Sequence, residues 1–235
     1  IELRGRTPSL PYVAMTVEAM THFGRSVLRP DLRVFVVRGG GGYRARDVRI
    51  EGDVSSASYF FLAAALTGGR VRVENVRPRT LQGDIGFLRI LERFGCRFVG
   101  GEDWVEVEGG PLSPGEAVVS LGDMPDMVPT VAVLSALRPG RTTITDAAHL
   151  RLKESNRLAA LVAELNRVGV AARETGDGLV IEGGTPHGAD IETYNDHRIA
   201  MSFAVLGLAV PGIRIGNGRC VGKSFPGFWR ALEGV

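Results

Sequence analysis

The stretch His149-Leu150-Arg151-Leu152-Lys153-Glu154-Ser155-Asn156-Arg157 ends in five residues that hold two cations and a carboxylate. Leu158, Leu161, Val162, Leu165 and Val168 follow at helical spacing on one face, and Gly169 supplies a stop. The charged cluster therefore sits at the mouth of a helix, with Lys153 and Arg157 four apart on a shared face. Cations there oppose the helix dipole, which favours acidic groups in the first turn. An anion-binding site accounts for them, because exposed N–H groups and cations converge on the anion. A solvated, charged helix start accounts for the same residues equally well.

Outward from this stretch the chain repeats. Helix-ending glycines fall at Gly24, Gly95 and Gly169, and Gly-Gly pairs at 39–40, 109–110 and 183–184, so the period is roughly 70 residues. The apolar residues Val13, Val17, Met20 and Phe23 stand before Gly24 at the offsets of Leu158, Val162, Leu165 and Val168 before Gly169. One unit reads as follows. A strand ends at Ile50-Glu51-Gly52-Asp53, and Ser55-Ser56 cap a helix through Leu66. A strand alternates from Val71 to Val76, and a helix ends at Gly95. Two strands follow, Cys96 to Val99 and Trp104 to Glu108. The expected unit is β-α-β-α-β-β. A second copy starts near Val118 and a third near Ile191, with Gly122-Asp123 and Asn195-Asp196 at the turn that Gly52-Asp53 makes in the first.

The ends match half-units. Residues 1–40 read as the back half of a unit, and residues 191–235 as the front half, with a helix beginning near Lys223. The expectation is a piece of a longer protein, although half-units that complete each other as a closed ring fit the same pattern. The last unit is expected to leave an apolar helix face exposed around Phe225, Phe228 and Trp229. The period also aligns polar residues. Ser9 and Glu154 lie fifteen before their glycines, Tyr12 and Arg157 twelve before, and Lys223-Ser224 lies seventy after Lys153-Glu154. The mouths of the other helices carry Ser55-Ser56, Asp126 and His197-Arg198. Polar residues at equivalent helix mouths point to one cleft where helix dipoles converge.

Composition narrows the classes. At 235 residues there is room for one large or two modest domains, at roughly 150 residues each. The 44% hydrophobic and 23% charged residues are those of an ordinary globular chain. A net charge of +2 gives no reason to invoke nucleic acid or an acidic membrane surface. Cys96 and Cys220 have no metal-like spacing and are expected to be reduced in a cytoplasmic protein. No apolar run approaches the ~20 residues of a membrane span. A signal peptide is not visible, and a chain opening on Ile1 leaves targeting open.

The candidate site comprises Lys153, Arg157, Arg198 and Lys223 as cations, with Asp126 and Glu154 as carboxylates. Four cations at helix mouths suit a multiply anionic ligand, such as a phosphate with a carboxylate. A carboxylate among cations can shuttle a proton, because its surroundings tune it. P-loop, dinucleotide-binding and metal motifs are not found, so no cofactor and no metal are expected. Asp126 fits a plain N-cap as well, and Asp196-His197-Arg198 a surface turn with a salt bridge. Asp53, Asp123 and Ser55 read as turn and cap residues.

Lys153-Glu154-Ser155-Asn156-Arg157, Tyr194-Asn195-Asp196-His197-Arg198-Ile199-Ala200-Met201 and Lys223-Ser224-Phe225-Pro226 closely resemble signatures of the 5-enolpyruvylshikimate-3-phosphate synthase family. So do Glu51-Gly52-Asp53-Val54-Ser55-Ser56-Ala57-Ser58-Tyr59-Phe60 and Met124-Pro125-Asp126, and the motifs stand in family order. The resemblance spans essentially the whole chain and is to the C-terminal half or slightly more of such an enzyme. It implies an α/β fold of two domains, each of three β-α-β-α-β-β units in an inside-out, barrel-like arrangement. Residues 1–48 would finish one domain and 49–235 would form most of the other, its last repeat incomplete. It also implies transfer of the enolpyruvyl group of phosphoenolpyruvate to the 5-hydroxyl of shikimate-3-phosphate, with release of phosphate. That is a step toward chorismate and the aromatic amino acids, and the target of glyphosate.

Carried over by residue, Ser9, Tyr12, Asp126, His149 and Lys153 would hold shikimate-3-phosphate, His149 standing where the family often has Asn. Arg157, Arg198 and Lys223 would grip phosphoenolpyruvate. Glu154 would exchange a proton with its methylene carbon, and Asp126 would sit beside the attacking hydroxyl. The family's N-terminal Lys-Ser loop, its Gly-Asn-Ala-Gly-Thr stretch and its Ser-Ser-Gln site are not in this sequence. The implied partners are therefore the two small-molecule substrates and the missing N-terminal half. The intact enzyme is expected to be a monomer in the cytoplasm. Rival readings are a UDP-N-acetylglucosamine enolpyruvyl transferase and a non-catalytic anion-binding fragment.

Overall fold

The computed structural model describes residues 1–5, 7–31 and 33–235. Helix α1 (Leu10–His22) precedes a short antiparallel pair, β1 (Val27–Leu28) and β2 (Val36–Val37). The first full unit runs α2 (Val54–Thr67), β3 (Arg70–Glu74), α3 (Phe87–Arg93), β4 (Arg97–Gly100) and β5 (Trp104–Glu108). The second runs β6 (Ala117–Ser120), α4 (Val128–Leu137), β7 (Gly140–Thr145), α5 (Arg157–Arg167), β8 (Ala171–Glu174) and β9 (Leu179–Gly183). The third holds β10 (Asp190–Ile191), α6 (His197–Ala209), β11 (Arg214–Ile215) and α7 (Phe228–Leu232). The chain is α/β, and its second unit shows the expected β-α-β-α-β-β order in full.

Each unit's first helix goes to the centre. Helices α2, α4 and α6 pack against one another, and the sheets lie outside them, β9 against α4 and β3 and β5 against α2. In α4 every residue from Val128 to Ala136 is buried, the all-round burial of a helix with no solvent face. The sheet of the second unit has the order β6-β7-β9-β8, with β6 parallel to β7 and the other pairs antiparallel. The first unit repeats the last three strands as β3-β5-β4. Among the described residues no helix is long and apolar enough to cross a membrane.

The structure corrects five expectations. The strand expected to end at Asp53 does not form. Residues 46–50 are exposed, and the segment joins β3's end through a Gly52 N–H bond to the Asn75 carbonyl and an Asn75 side-chain bond to the Ile50 carbonyl. The cap of α2 is Asp53, whose carboxylate accepts from the Ser55 and Ser56 amides, so those two serines lie inside the helix. Lys153 lies outside α5, following a 3₁₀ turn over Ala148–Leu152, so it does not share a helical face with Arg157. Lys223 likewise ends a 3₁₀ turn, Gly218–Lys223, and the helix starts only at Phe228. Nor is the Phe228 face exposed. Phe228 is fully buried, its ring edge-on to Tyr59 at 5.9 Å, and the Trp229 indole N–H reaches the Gly218 carbonyl.

The repeated glycines have a packing cause. A Cβ on Gly109 would strike the Ala64 carbonyl of α2, and a Cβ on Gly183 would strike the Ser135 and Arg138 carbonyls at the end of α4. The closing strand of each unit thus passes directly against the end of its central helix, and backbone atoms cannot swing aside as a side chain can. Gly183→Ala should therefore lower stability by about 1–3 kcal/mol or more, the scale of overpacking in a dense interior. Gly184→Ala, with open space at its Cβ position, should change it far less. Urea midpoints of the two variants check this.

Candidate active site

Three helix mouths supply the cluster. Ahead of α4, the 3₁₀ turn Pro125–Met127 presents Asp126. At α5, Asn156 caps the helix through the Ala159 amide, which leaves Arg157 as the first helical residue. At α6, the Asp196 carboxylate caps the Arg198 amide at 2.9 Å. Arg157 lies at the centre with its side chain 1% exposed. Its Nε donates to Asp196 at 2.8 Å, one Nη to Asp126 at 3.0 Å, and the other to Glu154 at 2.7 Å and Asp196 at 3.4 Å. Four hydrogen bonds thus use four of a guanidinium's five N–H groups.

The other cations join the same carboxylates. Arg198 donates to Asp126 at 2.8 Å and to the Tyr59 hydroxyl at 3.5 Å. Lys223 Nζ reaches the second oxygen of Glu154 at 2.5 Å. Tyr12, from α1, donates its hydroxyl to Asp126 at 3.3 Å. The Ser9 amide donates to the Gly122 carbonyl at 2.8 Å, which ties the start of α1 to the loop leading to Asp126. Of the residues expected from the sequence, Tyr12, Asp126, Glu154, Arg157, Arg198 and Lys223 are therefore joined in one network. Ser9 is one loop away. Lys153 is exposed beside it, and His149 is half-buried at its margin.

His149 belongs to a second feature, a cavity of about 570 Å³ lined also by Thr7, Pro8, Leu10, Ser120, Gly122 and Asp146. The cavity adjoins the charged network without being lined by Asp126, Glu154 or Arg198. Burial, then the Lys153 charge, hold the His149 ring below its ordinary pKa, with Asp126 and Asp177 pulling the other way. Its Nε2 is buried without a hydrogen-bond partner among the described residues.

A family model described as EPSP synthase (3-phosphoshikimate 1-carboxyvinyltransferase) matches residues 1–232. The chain belongs to the EPSP synthase family. It is 44% identical over 229 residues to the 3-phosphoshikimate 1-carboxyvinyltransferase of Trichormus variabilis, covering 97% of this chain and 54% of that protein. Against the enzyme of the same name from Syntrophobacter fumaroxidans it is 46% identical over 228 residues, covering 96% and 53%. The fold aligns with an EPSP synthase structure from Acinetobacter baumannii at a TM-score of 0.77 and 29% identity, over 98% of this chain and 54% of the other. A structure of the enolpyruvyl transferase NikO from Streptomyces tendae aligns at a TM-score of 0.70 and 21% identity, a likeness of fold. The chain spans about half the length of the curated relatives it matches.

Sequence reading left four residues in or beside the network out of the candidate site, namely Asp196, Ser155, Tyr59 and Asp84. Asp196 is fully buried between Arg157 and Ser155, whose hydroxyl donates to it at 3.0 Å. Tyr59 lies under Arg198, and burial above all pushes its phenol up to about 12. Asp84 takes the Ser55 hydroxyl on one oxygen, and its other oxygen is buried without a partner among the described residues. The period itself pointed near Asp84, which stands eleven before Gly95 where Tyr12 and Arg157 stand twelve before their glycines.

Two carboxyls of the site are driven apart. At Glu154 burial acts upward, but the Lys223 hydrogen bond, its own backbone amide and the Arg157 charge outweigh it and hold the group at about 2. At Asp84 burial wins over the Ser55 hydrogen bond and raises the carboxyl from 3.8 to about 6, with Asp126 adding to the rise. A carboxyl whose folded pKa is raised contributes stability that is complete below its unfolded value and lost as pH rises through the folded one. Stability from Asp84 should therefore fall between about pH 4 and pH 6, by roughly 3 kcal/mol for a shift of about two pKa units. Asp84→Asn should flatten that fall and raise stability at pH 7 relative to the parent. Urea midpoints from pH 4 to 7 check this, and identical slopes for the two proteins would remove the assignment.

Proposed function

We propose that this chain carries most of the phosphoenolpyruvate-handling part of a 3-phosphoshikimate 1-carboxyvinyltransferase of the cytoplasm. On this reading residues 1–48 end one domain, and 49–235 form most of a second. The observation that carries the reading is the network itself. Arg157, Arg198 and Lys223 meet Asp126, Glu154 and Tyr12 at three helix mouths drawn from two repeat units and α1. These are the residues that the family resemblance assigns to the two substrates. Half of the length of the relatives lies outside this chain, and the family's remaining substrate contacts would come from there.

The roles follow from position and charge. Lys223 and Arg198 carry the more accessible cations and would take the phosphate and carboxylate of phosphoenolpyruvate. Arg157, whose donors are mostly committed, would offer its remaining N–H while holding Asp126 and Glu154 in place. Asp126 reaches both Tyr12 and Arg198 and would receive the hydroxyls of shikimate-3-phosphate. His149 lines the adjoining cavity and Ser9 stands at the start of α1, and with Lys153 they would hold the rest of that substrate. Its volume of about 570 Å³ lies within the usual range for small-ligand pockets.

Glu154 would move the proton. Addition of the 5-hydroxyl to the enol carbon requires a proton on the methylene carbon, and expulsion of phosphate requires its return. Held by Lys223 and Arg157, the Glu154 carboxylate stays ionised and is a weak acceptor. It becomes a donor once an anionic substrate draws Lys223 away and lets burial raise its pKa. Positioning and charge stabilisation account for the remainder of the catalysis.

In an intact synthase carrying this segment, Glu154→Gln should slow turnover by about 10²-fold or more, the worth of a positioned proton carrier. Arg198→Ala and Lys223→Ala should chiefly raise the KM for phosphoenolpyruvate, each removing a charge-assisted contact. A kcat for the Gln variant within threefold of the parent, or unchanged KM values, would overturn these roles. The 235-residue chain alone should be nearly inert, because catalytic groups that act as a unit are grossly non-additive. Mixing it with the upstream half of a related synthase should restore phosphate release. UDP-N-acetylglucosamine as acceptor should give none.

A further inference from the structure

Glu164 is the carboxylate of α5, two turns beyond Arg157, and it is fully buried. A buried carboxylate is tolerated only when it is thoroughly hydrogen-bonded. Its partners are unusual for a helix interior. One oxygen accepts the Tyr194 hydroxyl at 2.8 Å, and the other accepts the Glu192 amide at 3.1 Å and Arg167 Nε at 2.9 Å. Two of these three groups belong to the turn between β10 and α6.

That turn holds the chain in an unfavourable shape. Tyr194 and Asn195 both have left-handed backbones, at φ 52° and 55°, and neither is glycine. Such a pair persists only where surrounding contacts fix it. The contacts are the two Glu164 bonds, the Tyr194 amide on the Glu192 carboxylate at 3.0 Å, the Asp196 amide on the Thr193 carbonyl at 2.8 Å, and the Asn217 side chain on Asn195 at 3.2 Å. The next residue is Asp196, which binds Arg157 and caps the amide of Arg198. Helix α5 therefore grips this turn twice, through Arg157 on Asp196 and through Glu164 on Tyr194 and Glu192.

We propose that Glu164 is a positioning residue: by clamping Tyr194 and the Glu192 amide it fixes the left-handed turn that aims Asp196, and through it Arg157 and Arg198, at the anionic groups of phosphoenolpyruvate. The proposal rests on the function proposed above for Arg198 and Arg157. It does not make Glu164 a substrate contact, since its oxygens face the turn.

The test uses an intact synthase carrying this segment, with Glu164→Gln, Glu164→Leu and Tyr194→Phe, and two readouts. The first is kinetics. Glu164→Leu should raise the KM for phosphoenolpyruvate about tenfold or more while that for shikimate-3-phosphate stays within about twofold. Tyr194→Phe should show a smaller rise of the same kind, and Glu164→Gln should recover part of the loss. An equal rise in both KM values, or none in variants that remain folded, would overturn the positioning role. The second readout is amide hydrogen exchange at residues 193–198, which needs no substrate. Exchange there should quicken about tenfold in Tyr194→Phe and more in Glu164→Leu, and unchanged exchange would overturn the clamp. If the parent enzyme fails to turn over these substrates, the functional reading falls, and the exchange result still decides whether Glu164 holds the turn.

Discussion

Arg157 is the constraint on which the site is built. Its guanidinium is almost wholly out of water, and removing a charge from water is costly unless partners surround it. Asp126, Glu154 and Asp196 are those partners, and they come from three different places in the chain. Asp126 belongs to the mouth of α4, Glu154 to the loop before α5, and Asp196 to the mouth of α6. Satisfying one buried cation therefore fixes the relative placement of three helix starts. The arrangement is closer to a lock on geometry than to a source of stability, because a buried ion pair can be matched by apolar packing, while breaking one leaves an uncompensated charge.

The repeat explains why such a lock is possible. Each unit sends its first helix inward, and the three central helices pack against one another. Their mouths then crowd together at one end of the core, along with the loops that lead to the second helices. Glycines 109 and 183 let the closing strands run against the ends of α2 and α4 without displacing them. Chemistry is possible at the crowded end because side chains there come from separate units and can be varied singly, while the strands and central helices keep their packing.

Much of this was legible in the sequence because it is periodic. Gly95, Gly169 and the Gly-Gly pairs marked the unit lengths, and α2 to β9 follow them within a few residues. The recurrent polar positions at Tyr12, Asp126, Arg157 and Arg198 were also visible. What stayed hidden depends on contacts between distant residues. Nothing local distinguishes Glu164 from any other helix glutamate, since Arg167 three residues on is an ordinary helical pair and the Glu192 and Tyr194 partners lie 28 and 30 residues further on. Asp84 reads as an ordinary residue near a helix start until burial and the Ser55 hydroxyl are seen. The strand before α2 failed for the opposite reason. Its sequence alternates acceptably, but residues 46–50 are exposed, and β3 meets the segment through Gly52 at its end. Lys153 and Lys223 were placed on helices because each stands a few residues ahead of one, and a helix start is not sharply marked by local residues; both in fact follow or end 3₁₀ turns.

The two perturbed carboxyls show how one site separates its proton-handling roles. Asp84 is raised because burial, helped by the Asp126 and Asp53 charges, outweighs the Ser55 hydrogen bond and the Arg198 charge. Glu154 is shallower, its side chain 28% exposed, and although burial acts upward there too, Lys223 and Arg157 turn the balance downward. The two thus differ both in depth and in the cations that touch them. Arg157 is fixed by three carboxylates, whereas Lys223 is more than half exposed and bonded to Glu154 alone in the network. An anion arriving at the cluster competes for Lys223 first, since moving Arg157 would disturb three ion pairs at once. On the proposed reading, substrate binding itself then converts Glu154 from a firmly ionised carboxylate into one that can carry a proton. The return of Lys223 after phosphate has left lowers the pKa again and restores the ionised carboxylate.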